Sequence, residues 1–380
     1  MLANVFAKTT RDRWMGWAIA VGSLTLMLVF GMSIYRDIDL TIYTSLPEAY
    51  LSLIGIGENV DVGGLAISAI QGFYGTVTLA ALALAMGATS IAGEERNGTI
   101  GLLLGNPKSR THVLVAKAAA MVLLTGLSAL IMWGVVYPIA AMLGVEIGGM
   151  DVGALTLHML VSALFYGCLA MVIGAWTGNR GAAVGGTVGV LVVSFFAVGF
   201  LPLIEGWENV AKAFPWYYFN SSQPVYNGVE WSHVSVLFAA SVVFAVASVF
   251  GVNRRDLKGQ SVGVSLVERL LGNPLTRKII GRLAGSARVS SIWFKTASEY
   301  QGMLLITAVL MFLFMGISMG PFYTAMPKEA LNAFADFPEE IIAMVGGGDI
   351  STPEGWYQLE TFGMMAPIAV MVVTVAIGAG

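Results

Sequence analysis

The chain has 380 residues, 57% of them apolar and only 11% charged, with a formal net charge of −3 and a mean hydropathy of +0.77. A soluble domain carries roughly 25% charged residues, and the deficit here runs along most of the length. A soluble or disordered chain is excluded, and the expected class is an all-α polytopic membrane protein. The single cysteine, Cys168, can form neither an internal disulfide nor a cysteine-based metal site.

A bilayer-spanning helix needs about 20 apolar residues. The first such stretch, Trp14 to Tyr35, follows a basic lead-in, "NVFAKTTRDRW", that carries Lys8, Arg11 and Arg13. It is too long for a signal-peptide core and lacks a small-residue cleavage site, so it is read as a retained anchor. The second stretch is Phe73 to Ala92. A charged island then follows, "GEERNGTIGLLLGNPKSR", from Gly93 to Arg110. Carboxylates at the C-terminal end of a helix oppose its dipole by a few tenths to about 1 kcal/mol each, so Glu94 and Glu95 are expected to be held by something else. Arg96, Arg110, Arg11, Arg13 and a separate protein are the candidates. Asn97-Gly98 permits a sharp change of direction. Ile100, Leu103 and Leu104 then recur at helical spacing, Pro107 ends that short helix, and Ser109 or Thr111 can cap the next span.

Four more spans complete a first half: Ala118 to Ala141, Val152 to Ala175, Ala182 to Leu203 and Val234 to Val252. His158, in the fourth span, is expected to make a polar contact rather than to relay protons. The small residues of "GAAVGGTVGV", Gly181 to Val190, are expected to permit close helix packing. Between spans five and six, "FPWYYFNSSQPVYNG" supplies Trp216, Tyr217 and Tyr218, which suit an aromatic belt at the membrane interface or a candidate outer gate. A basic linker, 256–302, leads to spans seven and eight, Met303 to Tyr323 and Met364 to Gly380. The linker is assigned to anionic headgroups and topology, not nucleic acid, because it adjoins the membrane and lacks interleaved aromatics.

With the N-terminus placed in the cytoplasm, 17 of the 20 basic residues fall on the inner side, and only Arg36, Lys212 and Lys328 fall outside. That is a strong positive-inside asymmetry for a multi-pass protein of the cell membrane. An internal repeat is also expected. With a shift of 291 residues, Pro47, Glu48, Gly55, Gly57 and Gly64 match Pro338, Glu339, Gly346, Gly348 and Gly355. Two similar halves are implied: residues 1–255 with six spans, and 303–380 with the first two spans of the second. Since Gly93 would map to position 384, the chain is expected to be a truncated form of a longer protein.

The pattern Gly93-Glu94-Glu95-x-x-Gly98-Thr99-x-x-x-Leu103-Leu104-x-x-Pro107-x-Ser109-Arg110, followed by Lys117, resembles the signature after the second span of type-2 ABC exporter permeases. The six-span half resembles that family over the first 255 residues, and the duplicated arrangement is similar to its antibiotic and polyketide exporters. The resemblance implies that 93–110 is a coupling helix contacting an ATPase subunit through Glu94, Glu95, Gly98, Thr99, Leu103, Leu104, Pro107 and Arg110. It also implies that Lys8, Arg11 and Arg13 lie on an interfacial elbow helix along the inner face.

The chain has no Gly-x-x-x-x-Gly-Lys-[Ser/Thr] motif and no lysine preceded by glycine, so a P-loop is not available to it. The eight apolar stretches contain no Asp, Glu, Lys or Arg of the kind that ion-driven transporters place in the membrane. The expected function is therefore a permease without catalysis or cofactor of its own. ATP and Mg would reside in cytosolic ABC ATPase subunits, two by the halves' symmetry, and the exported substrate would be apolar or amphipathic. The alternative is a secondary transporter or channel not driven by ATP.

Overall fold

The computed structural model describes residues 4–36, 61–101, 105, 108–203 and 206–255, together with short stretches between 274 and 366. All regular structure among these residues is helical. Six helices are long and apolar enough to cross a membrane, and the chain is a multi-pass membrane protein. The chain divides into two compact units, Met1–Gly259 with Met326–Phe334, and Gln260–Ala325 with Ala335–Gly380.

In the first unit α1 is Val5–Tyr35. The second rod is built from α2, Val62–Ala66, a π-helical stretch Ile67–Gly75 and α3, Thr76–Thr89. A short α4, Ala92–Arg96, follows. Then come α5, Arg110–Leu143, α6, Val152–Thr177, and α7, Arg180–Phe200. Two 3-10 turns and the short helices α8, Pro215–Asn220, and α9, Pro224–Asn227, lead to α10, Trp231–Arg254. Each of the six long rods opens on a side chain that accepts a hydrogen bond from a first-turn amide: Asn4, Asp61, Ser109, Asp151, Asn179 and Glu230. These caps satisfy donors that the helix itself leaves open. Of the two caps expected for the third span, Ser109 or Thr111, Ser109 is the one used, and its Oγ accepts from the His112 amide at 3.1 Å.

Two boundaries differ from the sequence reading. The basic lead-in is not a separate elbow helix, because Lys8, Arg11 and Arg13 lie on α1 itself, which is continuous from Val5 to Tyr35. No proline interrupts this run, and a glycine such as Gly16 costs a helix only about 1 kcal/mol. The second rod begins at Val62 rather than Phe73, because Asp61 provides a start signal and the intervening residues pack. Gln71 is thereby drawn into the interior at 1% exposure. Its Nε2 donates to the Met132 carbonyl of α5 at 2.8 Å.

Helix α6 is the centre of the unit and packs on α3, α10, α7 and α5. Its apolar window is 67% buried, against 17% for α7. Helices α3 and α6 approach closely: a Cβ on Gly87 would lie 2.1 Å from the Gly167 carbonyl oxygen, and one on Gly167 would lie 2.9 Å from the Ala83 Cβ. Gly186 and Gly189 of the Gly181–Val190 run do not carry such a contact. A Cβ on Gly189 meets nothing within 4 Å, and one on Gly186 meets only the flexible end of Ile173 at 3.3 Å. Their helix contributes Ala183, fully buried, to a small cluster with Leu84, Ala88 and Ala170.

In the second unit the described residues include a helix α11, Pro353–Trp356, capped by Thr352, and the Tyr323 hydroxyl donates to the Ser351 carbonyl at 2.6 Å. Spans seven and eight for the most part, and the repeat at Pro47 and Pro338, lie outside the described residues.

Candidate functional site

The island opens with a break. Helix α3 ends at Thr89, Ile91 leaves helical geometry at φ −120° and ψ −51°, and α4 restarts at Ala92. Glu94 and Glu95 therefore fall in the first turn of a new helix, where a carboxylate is favoured rather than opposed by the dipole. The expectation that they sit at the wrong end of span two is corrected by this interruption. Helix α4 ends as Asn97-Gly98 predicts. Gly98 adopts φ 68°, its amide donates to the Glu95 carbonyl at 3.1 Å, and the Thr99 amide donates to the Glu94 carbonyl at 2.9 Å. These two bonds form a Schellman cap.

Each carboxylate meets a cation that the sequence reading did not name. Glu94 accepts from Lys117 Nζ at 2.5 Å and from the Thr99 hydroxyl. Burial pushes the Glu94 carboxyl up, but the hydrogen bonds from Lys117 and Thr99 and the charges of Lys117 and Lys8 outweigh it. The group sits below the ordinary glutamate value. A depressed carboxylate contributes stability that is complete above its unfolded-state value and is lost as pH falls through the folded one. The melting temperature of the wild type is therefore expected to drop more steeply than that of Glu94→Gln as pH falls below the ordinary glutamate range. Parallel profiles would show that the pair adds no stability.

Glu95 is fully buried, and it pairs with Arg255 Nη2 at 2.5 Å. Arg255 Nε also donates to the Ala175 carbonyl at 3.1 Å. Arg110 Nη1 donates to the Val252 and Arg255 carbonyls at 3.2 and 2.8 Å, which meets the open carbonyls at the C-terminus of α10 with a positive charge. Asn253 Nδ2 donates to Thr111 Oγ1 at 2.9 Å. The pair occupies space that only a glycine leaves: Gly178, at φ 65°, ends α6, and a Cβ there would lie 2.2 Å from Arg255 Nη1 and 2.7 Å from Glu95 Oε2. Arg13 Nη2 donates to Thr89 Oγ1 at 2.8 Å and ties α1 to the end of α3. The result is a collar at one end of the bundle that joins α4 to α5, α6 and α10 through charge-assisted hydrogen bonds. Along the island, Asn97, Gly98, Gly101, Gly105, Lys108 and Ser109 are exposed, whereas Glu95 and Ile100 are not. Leu103, Leu104 and Pro107 lie outside the described residues.

A family model described as "ABC-2 family transporter protein" matches residues 3–257. The chain belongs to the ABC-2 transporter family. No curated protein and no solved structure gives a significant match. The chain is thus a type-2 ABC permease, the membrane subunit of a transporter and not itself catalytic, and membership implies an ABC ATPase as partner.

At the other end of the permease, Trp216 is not part of an interfacial belt. It is 1% exposed, rests against Phe73, Phe195 and Phe219, and its amide donates to Ser194 Oγ at 2.6 Å. Tyr217 and Tyr218 are half-buried and both meet the His233 ring at 5.3 Å. His158 is buried, and its Nε2 accepts from the Glu230 amide at 3.3 Å, a polar contact that fixes the start of α10. Sequence reasoning missed Arg255, Gly178 and Gln71 as site residues. Gln71 had a usable signal, a lone amide within helical reach of an apolar run. Arg255 had none, being one of nine basic residues from Arg254 to Lys295.

Proposed function

We propose that this permease is the membrane subunit of an ATP-driven exporter, with its N-terminus in the cytoplasm of the cell membrane and the Gly93–Arg110 segment as the surface on which an ABC ATPase docks. The observation that carries this reading is the collar. The segment is bolted through Glu94–Lys117 and Glu95–Arg255 to α5, α6 and α10, so a displacement there moves the helices together rather than bending a loop. The division of labour follows from burial. Asn97, Gly98 and Lys108 offer contact to the partner, while Glu94, Glu95 and Arg110 transmit it within the permease. ATP and Mg act in the partner, of which a complete transporter holds two copies. The substrate is apolar or amphipathic, since the apolar stretches carry no Asp, Glu, Lys or Arg.

Cysteine cross-linking tests the assignment directly, because Cys168 is the only cysteine and is buried. In a complex with the co-expressed ABC ATPase, Asn97→Cys and Lys108→Cys are expected to form cross-links to it. Met142→Cys, exposed near the opposite end of α5, is expected to form none. An ATPase that co-purifies yet cross-links to neither Asn97→Cys nor Lys108→Cys would place docking elsewhere.

A further inference from the structure

ATPase docking leaves unused a buried titratable group at the end of the bundle opposite the collar, His158 of α6. The residue has no exposed surface, and its Nε2 accepts from the Glu230 amide at 3.3 Å. An imidazole nitrogen that accepts carries no proton, so this bond requires the neutral ring. A single proton on Nε2 abolishes it and sets two donors face to face.

The bond sits where a spanning helix begins. Glu230 is the N-cap of α10. Its carbonyl accepts from the Val234 amide at 3.1 Å, and its carboxylate accepts from the Ser232 amide and hydroxyl at 3.2 and 2.7 Å. The segment from α9 to α10 is anchored on α6 at both its ends. The Asp151 amide donates to the Val225 carbonyl at 2.8 Å, and the Glu230 amide donates to His158, about 10 Å further along α6 at 1.5 Å per residue. The first anchor joins two backbone groups and does not titrate. The second does.

The groups around the ring fix the sense of the response. Helix α10 brings Glu230 and His233, whose charges both act on His158. Helix α8 brings Tyr217 and Tyr218, which meet the His233 ring, and α9 brings Tyr226. Asp151 caps α6 itself and accepts from the Ala154 amide at 2.8 Å. Toward this end the second rod carries Tyr74, and α5 carries Tyr137 with Glu146 beyond it, whereas Lys117 and Arg180 belong to the collar end. The Ser232 hydroxyl and amide hold the Glu230 carboxyl below the ordinary glutamate value, so it stays ionised where an imidazole titrates. It therefore attracts the imidazolium once formed, at the expense of the bond to its own amide.

We propose that the His158–Glu230 bond is an acid-released latch: a proton taken up by His158 frees the start of α10 from α6, while the anchor at Val225 holds. With the N-terminus in the cytoplasm, as proposed above, the acid sensed is that outside the cell; the release itself does not depend on that orientation.

The test is amide hydrogen exchange on the full chain in neutral detergent, read over residues 226–236 and, as an interior reference, over 83–90, from about pH 8 to about pH 5. Each rate is divided by that of His158→Gln at the same pH, which cancels the chemistry of exchange. Glutamine offers an acceptor oxygen that takes no proton in this range. The ratio over 226–236 is expected to rise about fivefold from the alkaline to the acid end, the effect of losing one ordinary hydrogen bond. Over 83–90 it is expected to stay level, and His233→Gln is expected to keep the rise. A level ratio over 226–236 would overturn the latch. So would a rise abolished by His233→Gln, which would make His233 the sensor, or an equal rise in both segments, which would mean general loosening in acid. If His158→Gln does not fold, the wild type alone decides: after correction for intrinsic rates, acid must loosen 226–236 and not 83–90.

Discussion

Replacing Arg255 with alanine is expected to destabilise the permease by about 3 kcal/mol, the lower end of the range for breaking a buried ion pair from one side. The cost arises on the partner. Glu95 has no exposure, whereas Arg255 retains 22%, so loss of the guanidinium takes an opposite charge from a carboxylate shielded from water. Glu95→Gln removes the deeper charge instead and leaves a partly solvated arginine, so it is expected to cost less. The double variant Glu95→Gln with Arg255→Ala is expected to fall short of the sum of the two, since both single changes break the same ion pair. Thermal unfolding in detergent measures all three. The same variants should reduce the response of ATP hydrolysis to the permease in a reconstituted complex, because the bolt between the docking segment and α6 and α10 is lost. If Arg255→Ala melts with the wild type, the pair does not hold the collar together.

A comparably large effect is expected in the interior at Gly87→Ala. The new methyl would sit 2.1 Å from the Gly167 carbonyl oxygen, and backbone cannot give way as a side-chain end can. Helices α3 and α6 would have to separate, at a cost of about 3 kcal/mol, the upper part of the usual range for overpacking. Gly189→Ala is the control. Its Cβ meets nothing within 4 Å, and alanine is the better helix former by about 0.5–1 kcal/mol, so that variant is expected to be as stable as the wild type or slightly more so. Reversal of this order would mean that α3 and α6 do not cross at these glycines.

The two substitutions separate what was legible in the residues from what was not. Close packing by small residues was expected in the glycine run of α7; it occurs at Gly87 and Gly167, while Gly186 and Gly189 of that run, on the least buried of the described spanning helices, make no such approach. A glycine marks where a helix can approach; only the neighbour decides whether one does. The carboxylates of the island follow the same logic. Their need for partners was readable, and Arg96, Arg110, Arg11 and Arg13 were reasonable candidates by distance along the chain or by topology. The partners are Lys117, 23 residues on, and Arg255, 160 residues on. The helix dipole argument failed for a local reason, the break at Ile91 that turns a helix end into a helix start.

By itself the sequence determined the membrane class, the six apolar rods of the first half, a hydroxyl cap at Ser109 or Thr111 for the third and the Asn-Gly turn in the island. Each is fixed by residues within a few positions of one another, through hydrophobic length, first-turn amides in need of acceptors, and the freedom of glycine at positive φ. Only the tertiary structure decided which cation meets which carboxylate, that Arg110 closes the end of α10, and that Trp216 is core. Those outcomes depend on which helix ends come together, and burial then selects one partner among many equal charges because an unpaired one in the interior is too costly to keep.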